Sequence, residues 1–312
     1  MGVLGASTDA RPVGLAPPPP APPRRGGERP LIHLQFTDWT AEVRPEIGGS
    51  LAALRYRGTD ILRPMPTAST NPLEAACFPL APYCNRIRDG RFHFAGREIV
   101  LPPNFPPEPH SLHGLAWQTA WTVESQAENK CLLVHDYDGT RAWPWAYHAQ
   151  QRIRLGPRGC AITLVLTNRS TEAMPAGLGL HPYFRCRPEA EVRFVSDHVL
   201  LTGADPLPTG ITAPADHFAP FAAGTPLPLE TIDHCFVRWH GEAGMSDSLG
   251  SITLEADGAP HLHLYAPADR SALCLEPVTH TPDAPNRAPD ELIVLPPGCA
   301  ASLTLRITAT AG

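Results

Sequence analysis

The chain has 312 residues and a mass of 33.7 kDa, enough for one large all-β domain or two ordinary domains with a sizeable buried core. Lys plus Arg total 25 against 31 for Asp plus Glu, a net charge of −6, which excludes the general cationic surface that a nucleic-acid backbone requires. With 38 prolines and 25 glycines, long helical bundles are excluded too, because proline removes an amide donor and clashes inside helices.

The first segment, residues 1–30, carries eight prolines, including Pro17 to Pro20, and too few large apolar residues for a core. It is predicted to be a flexible Pro-rich tail of polyproline II character, ahead of a β-sandwich domain over residues 31–312. Arg24, Arg25 and Arg29 are expected to be solvated rather than to hold a partner, and Ala6 stands where a myristoylation signal needs Ser or Thr. No run approaches the roughly 20 apolar residues of a membrane span, and no basic-then-apolar leader opens the chain. A cytoplasmic protein with no membrane partner is expected. The eight cysteines contain no CxxC pair, so a compact zinc or iron–sulfur motif is not expected, and dispersed buried thiols are the plainer reading.

From Leu31 onward short apolar stretches alternate with Gly, Pro and Asn turns, the rhythm of a continuous antiparallel β architecture. Strands are predicted at Leu31 to Phe36, Leu51 to Tyr56 and Ile61 to Arg63. A hairpin follows over Arg91 to Val100 around Gly96 and Arg97, and prolines 102, 103, 106, 107 and 109 then enforce a loop. Next come Trp117 to Glu124, Lys130 to Asp136, Tyr147 to Leu155 and Ala161 to Asn168. Later strands are expected at Glu191 to Phe194, Cys235 to Trp239, Ser251 to Glu255, His261 to Tyr265, Ala272 to Glu276 and Ala301 to Ile307. Spacings this short favour a two-sheet sandwich over a parallel α/β fold, whose crossovers need helices.

Titratable side chains meet strand patterns at two places. Over Gly177 to Phe184, alternation places Leu178, Leu180 and Pro182 on one face and Gly179, His181 and Tyr183 on the other, leaving room for a ligand beside His181. The alternative is a buried structural histidine. Over Ala272 to Pro277, Leu273 and Leu275 point to a core while Ala272, Cys274 and Glu276 share the opposite face; here the alternative is a Glu paired to Arg or Lys. Together His181 and Glu276 supply the chemistry to move one proton onto a polyol ring and another off it.

The chain resembles the aldose 1-epimerase, or galactose mutarotase, family. The resemblance rests on Asn85-Arg86-Ile87 with Gly90-Arg91-Phe92, on Leu112-His113-Gly114 and on His181-Pro182-Tyr183-Phe184. It continues through Ile232-Asp233-His234-Cys235-Phe236 and Glu276-Pro277 to Pro282-Asp283-Ala284-x-Asn286. It implies a large antiparallel galactose-mutarotase-like β-sandwich whose concave face binds a monosaccharide, and interconversion of α and β anomers by acid–base ring opening and closure. Carried onto matching positions, it makes Glu276 the catalytic base and His181 the acid, with Arg86, His113 and Asp233 binding and orienting the sugar. No cofactor and no metal is needed. At reference pKa values of about 4.3 and 6.5, Glu would act as a base near neutrality while His supplies an acid fraction, with desolvation opposing that charge.

Leu115 stands where a second Gly often follows, and His280 occupies part of a stretch where a Gly-containing turn is common. Leu115 is expected either to narrow the pocket or to cover a core edge, and His280 to lie in an exposed loop. Arg141, Arg152, Arg154, Arg185 and Arg187 would serve a phosphorylated sugar only if they converged. Cys84 and Cys274 lack an activating framework and read as packing residues. Two other classes compete with the mutarotase reading. One is a noncatalytic carbohydrate-binding sandwich. The other is a metal-dependent small-molecule enzyme, suggested by His110-x-x-His113 and His261-x-His263 with Glu276 as a further ligand.

Overall fold

The computed structural model describes residues 31–312, so the Pro-rich stretch 1–30 lies outside the described residues. Among the described residues every strand ladder is antiparallel: an eleven-stranded sheet faces a nine-stranded sheet, and the helical content is short 3-10 turns and one four-residue helix, Ala284–Arg287. The larger sheet runs in the order Ile32–Phe36, Trp39–Arg44, Ser50–Tyr56, Cys77–Leu80, Gly179–Pro182, Cys274–Val278, His261–Ala266, Ile232–Val237, His198–Thr202 and Pro208–Pro214. The smaller one is built around the long strands Tyr147–Gly156, Gly159–Asn168 and Ala300–Ala311. No helix among the described residues is long and apolar enough to cross a membrane.

Period-two alternation decides which side chains enter the sandwich. Leu34, Val43 and Leu54 from the larger sheet meet Leu133, Ile153, Leu164 and Leu305 from the smaller in one continuous core. Each such burial contributes roughly 1.5–3 kcal/mol. The same alternation leaves the other face of the larger sheet with its own cluster, including Phe78, Trp117, Tyr183 and Cys274. Leu273 and Leu275 go to the sandwich core while Cys274 and Glu276 go to the far face, as the alternation predicts.

Several elements depart from expectation for identifiable reasons. Ile61 to Arg63 forms no strand; Leu62 makes a single bridge to Phe184. Trp117 to Glu124 divides into a 3-10 turn, Ala116–Gln118, and a strand, Thr122–Ala127. There the Trp117 indole donates to the Gly114 carbonyl at 3.2 Å, a tertiary contact that overrides local β propensity. The strands expected to begin at Cys235 and at Ala272 instead span Ile232–Val237 and Cys274–Val278. The hairpin is present as Arg91–Phe94 paired with Arg97–Val100, turning through Ala95 and Gly96, both at positive φ.

Candidate active site

Four adjacent strands of the larger sheet build a row of polar side chains on the face away from the sandwich core. Gly179 pairs with Val278 and Tyr183 with Cys274, which places His181 opposite Glu276. On the next strand His263 pairs with Glu276 and Tyr265 with Cys274; beyond it Asp233 pairs with Tyr265. Residues opposite one another on neighbouring strands come within about 5 Å at Cβ, so register alone assembles the row.

The His181 Nε2 lies 3.3 Å from Glu276 Oε1, and both residues are almost wholly buried. The imidazole packs against two aromatic rings, Phe78 and Tyr183, each 4.6 Å away between centroids, with Tyr183 nearly parallel to it. The Arg63 guanidinium stacks over the Tyr183 ring, 4.1 Å from its centre. The Nδ1 of His181 is buried without a hydrogen-bond partner.

Burial sets the charge state of this pair against the reference expectation. Desolvation pushes the Glu276 carboxyl up to about 7, opposed by the neighbouring His263. Desolvation, with His263 nearby, pushes His181 down to about 3. Between about 3 and about 7 the pair therefore carries one proton, favoured by burial on the carboxyl with a neutral imidazole, rather than an ionised Glu beside a partly protonated His.

Asp233 and His263 behave in the opposite way. Their side chains meet at 2.7 Å, Nε2 to Oδ1. Burial works against the Asp233 charge, but the hydrogen bond and charge of His263 outweigh it and hold the carboxyl below its usual range. Burial likewise opposes charge on His263, and the Asp233 bond with the nearby Glu276 raises it. A pair whose mutual bond favours the charged forms thus sits one strand away from a pair in which burial favours the uncharged forms.

A separate segment brings Arg86 and His113 to the same face. Arg86 pairs with Leu112 and Ile87 with Ser111 in a two-residue ladder. The Asn85 amide donates to His113 Nδ1 at 3.0 Å, and the His113 amide returns a bond to the Asn85 carbonyl at 2.8 Å. With Nδ1 accepting and burial holding the ring pKa well below its usual value, His113 is neutral and its proton must reside on Nε2, a fixed donor. Its ring packs edge-on to His181 at 5.5 Å. Gly114 allows this close seating: at φ +70°, a Cβ there would lie 2.2 Å from the Ala81 carbonyl oxygen. Arg86 Nε stands 3.6 Å from Glu108 Oε2, with both side chains largely buried.

Asp283 straps this segment to the strand that carries Glu276. Fully buried, it donates its amide to the Arg86 carbonyl at 2.8 Å and accepts from the Arg88 amide at 3.0 Å and from Asn286 Nδ2 at 2.7 Å.

All five residues singled out from sequence, Glu276, His181, Arg86, His113 and Asp233, thus lie on one face. Sequence reasoning did not place Glu108 or Phe78 there, and it set His263 beside Glu276 only as a ligand of the metal alternative; strand register gives it Asp233 as its partner. His280 departs from the exposed-loop expectation: it is fully buried, accepting from the Cys84 amide at 3.1 Å and bonded through Nδ1 to the Thr281 carbonyl. Leu115 packs against the sandwich core as edge cover. The arginines do not converge: Arg185 makes a two-point pair with Asp247, and Arg152 and Arg154 are exposed on the Tyr147–Gly156 strand of the other sheet. The four histidines of the metal alternative are divided: His113 and His263 lie at the site, where Nδ1 of the first accepts from the Asn85 amide and Nε2 of the second is bonded to Asp233, while His110 and His261 lie beside acidic groups elsewhere. His110 pairs with Asp205 at 2.8 Å, and His261 lies 3.9 Å from Glu291.

Comparison with known proteins agrees with this architecture. Residues 30–308 match the family described as aldose 1-epimerase. The uncharacterized protein YphB of Escherichia coli K12 is 29% identical over 273 residues, covering 83% of this chain and 93% of its own. An E. coli K12 crystal structure, provisionally named an aldose 1-epimerase, superposes with a TM-score of 0.84 at 26% identity, covering 91% of this chain and 99% of that one. The GalM/aldose epimerase homologue from C. elegans gives a TM-score of 0.76 at 20% identity over 90% of this chain and 99% of that one, a likeness of fold.

Proposed function

The chain belongs to the aldose 1-epimerase family, and on that footing we propose that it interconverts the α and β anomers of an unphosphorylated aldose. The observation that carries the reading is the buried His181–Glu276 pair, 3.3 Å apart, with three further hydrogen-bonding side chains on the same face.

Glu276 takes the proton of the anomeric hydroxyl while His181 protonates the ring oxygen. The bond from C1 to the ring oxygen breaks and C1 becomes an aldehyde. Rotation about C1–C2 presents the other carbonyl face; the ring hydroxyl then attacks C1, returning its proton to His181 as Glu276 gives its own to the carbonyl oxygen. Opening starts from carboxylate and imidazolium and ends at carboxylic acid and imidazole, and closure reverses it, so the pair holds one proton throughout. Burial favours the uncharged form in the free protein. Sugar hydroxyls donating to Glu276 favour its ionised form and move the proton to His181.

Arg86 donates in a fixed fork, His113 donates through Nε2, and Asp233 accepts from hydroxyls through the oxygen that His263 leaves free. The test is to dissolve pure anomers of a panel of aldoses and follow equilibration by NMR or polarimetry, with Glu276→Gln as matched control. Acceleration abolished by the substitution is expected. Acceleration equal in both proteins assigns the base elsewhere, and sugar binding without any acceleration makes the protein a carbohydrate-binding sandwich.

A further inference from the structure

Proton transfer uses His181 and Glu276 but leaves unexplained the thiol beside them. Among the described residues, the one group of three His, Cys, Asp or Glu side chains whose donor atoms all lie within 4.8 Å of one another is His181, Cys274 and Glu276, and all three are buried. Cys274 and Glu276 project from one strand two residues apart, and His181 stands across from them, so the sheet holds the three donors as a fixed set.

We propose that this set is a binding site for a thiophilic divalent cation of the zinc type, which seats on the atoms that move protons and so excludes the sugar. A tetrahedral ion with bonds of about 2.0–2.1 Å to nitrogen and oxygen separates those ligands by about 3.3–3.4 Å. The observed Nε2–Oε1 distance is 3.3 Å, so two ligands need no movement. The sulfur has to come within about 3.6 Å of each, a side-chain adjustment consistent with a zinc–sulfur bond of about 2.3 Å. On binding, the Cys274 thiol and the protonated Glu276 carboxyl each release their proton to solvent, and His181 offers the Nε2 lone pair with its own proton on Nδ1. A fourth position stays open to water.

The surroundings define what kind of site this is. A resident metal locks its histidine through a hydrogen bond at the other ring nitrogen. In this protein that nitrogen is buried and unpartnered, so the ring is held by packing against Phe78, Tyr183 and His113. The arrangement suits reversible, inhibitory occupancy rather than a permanent cofactor.

The experiment is a titration of the full chain with Co2+ alone, watching thiolate-to-cobalt charge-transfer absorption and the strong visible bands of four-coordination, followed by displacement with Zn2+. One equivalent with a thiolate band is expected. Cys274→Ala should abolish the band, and a Cys186→Ser, Cys299→Ser double variant should keep it, since those are the two thiols that are not buried. His181→Asn, which retains the thiol, should weaken Co2+ binding by at least the ~10–100-fold that loss of an outer-shell partner already costs. Absence of a thiolate band, or its persistence in folded Cys274→Ala, overturns the proposal.

The inhibitory consequence rests on the mutarotase reading, and the two fail separately. Zn2+ should slow anomer exchange in the wild type, and Cys274→Ala should exchange normally while resisting Zn2+ by a similar factor. A Cys274-dependent band in a protein without exchange activity sinks the mutarotase reading and leaves the cation site. Exchange activity with no such band sinks the cation site alone.

Discussion

Replacing Glu276 by Gln should change the pH dependence of stability in a direction that reports the burial of this carboxyl. The folded protein holds the group at about 7 against an ordinary 4.5. Below 4.5 both folded and unfolded chains are protonated and the group is neutral in the balance. As pH rises through the window between 4.5 and 7, the unfolded chain releases the proton first, so the wild type progressively loses stability. At about 1.36 kcal/mol per pH unit, the full loss above 7 is about 3 kcal/mol. The amide does not titrate. Urea unfolding of both proteins from about pH 4 to pH 8 should show the stability of Glu276→Gln, relative to wild type, rising by about that amount and then levelling. A difference that stays flat, or shrinks as pH rises, would mean that Glu276 is solvated or charge-compensated in the fold and that the proton inventory drawn for the pair is wrong.

Anomer exchange measured as kcat/KM should fall as pH rises above about 7, because the pair then loses its single proton; a rate that climbs steadily through this range contradicts a one-proton pair. His181→Asn should lower exchange roughly 100-fold to 10,000-fold with a smaller change in KM, as measured by NMR lineshape or polarimetry. Gly114→Ala should lower stability by at least about 2 kcal/mol in urea unfolding, because its φ is strained for an L side chain and its Cβ meets the Ala81 carbonyl. Unchanged stability would show that the loop seating His113 can rearrange freely.

The parts of the fold that were legible are those in which local alternation and burial agree. Leu273 and Leu275 against Cys274 and Glu276, and Leu178 and Leu180 against His181, sort to the faces their period requires. Glu191–Phe194 keeps its expected bounds because its alternation, Glu191 and Arg193 exposed against Val192 and Phe194 buried, is unbroken. Trp39–Arg44 was missed although Trp39, Ala41 and Val43 alternate inward, since it lies between short turns that obscure its limits. The alternating His261 and His263 suggest a metal set with Glu276, but nothing local shows that His263 is bonded to Asp233; the pairing of His261–Ala266 with Cys274–Val278 and Ile232–Val237 creates that contact. His280 looks like a loop residue, yet two backbone contacts make it a buried strut. The charge states were unreadable for a related reason: they follow from desolvation, a property of the assembled sheet.

The strap through Asp283 bears on any effort to redirect sugar preference. One buried carboxylate residue anchors the backbone of Arg86 and Arg88 to the stretch that follows Glu276, so the Arg86 guanidinium and the Glu276 carboxyl share a single chassis. A library that remodels the loop around Arg86 will drag the reactive end with it. Diversification at Tyr265, only half-buried on the neighbouring strand, would instead reshape the rim while the chemistry stays in register.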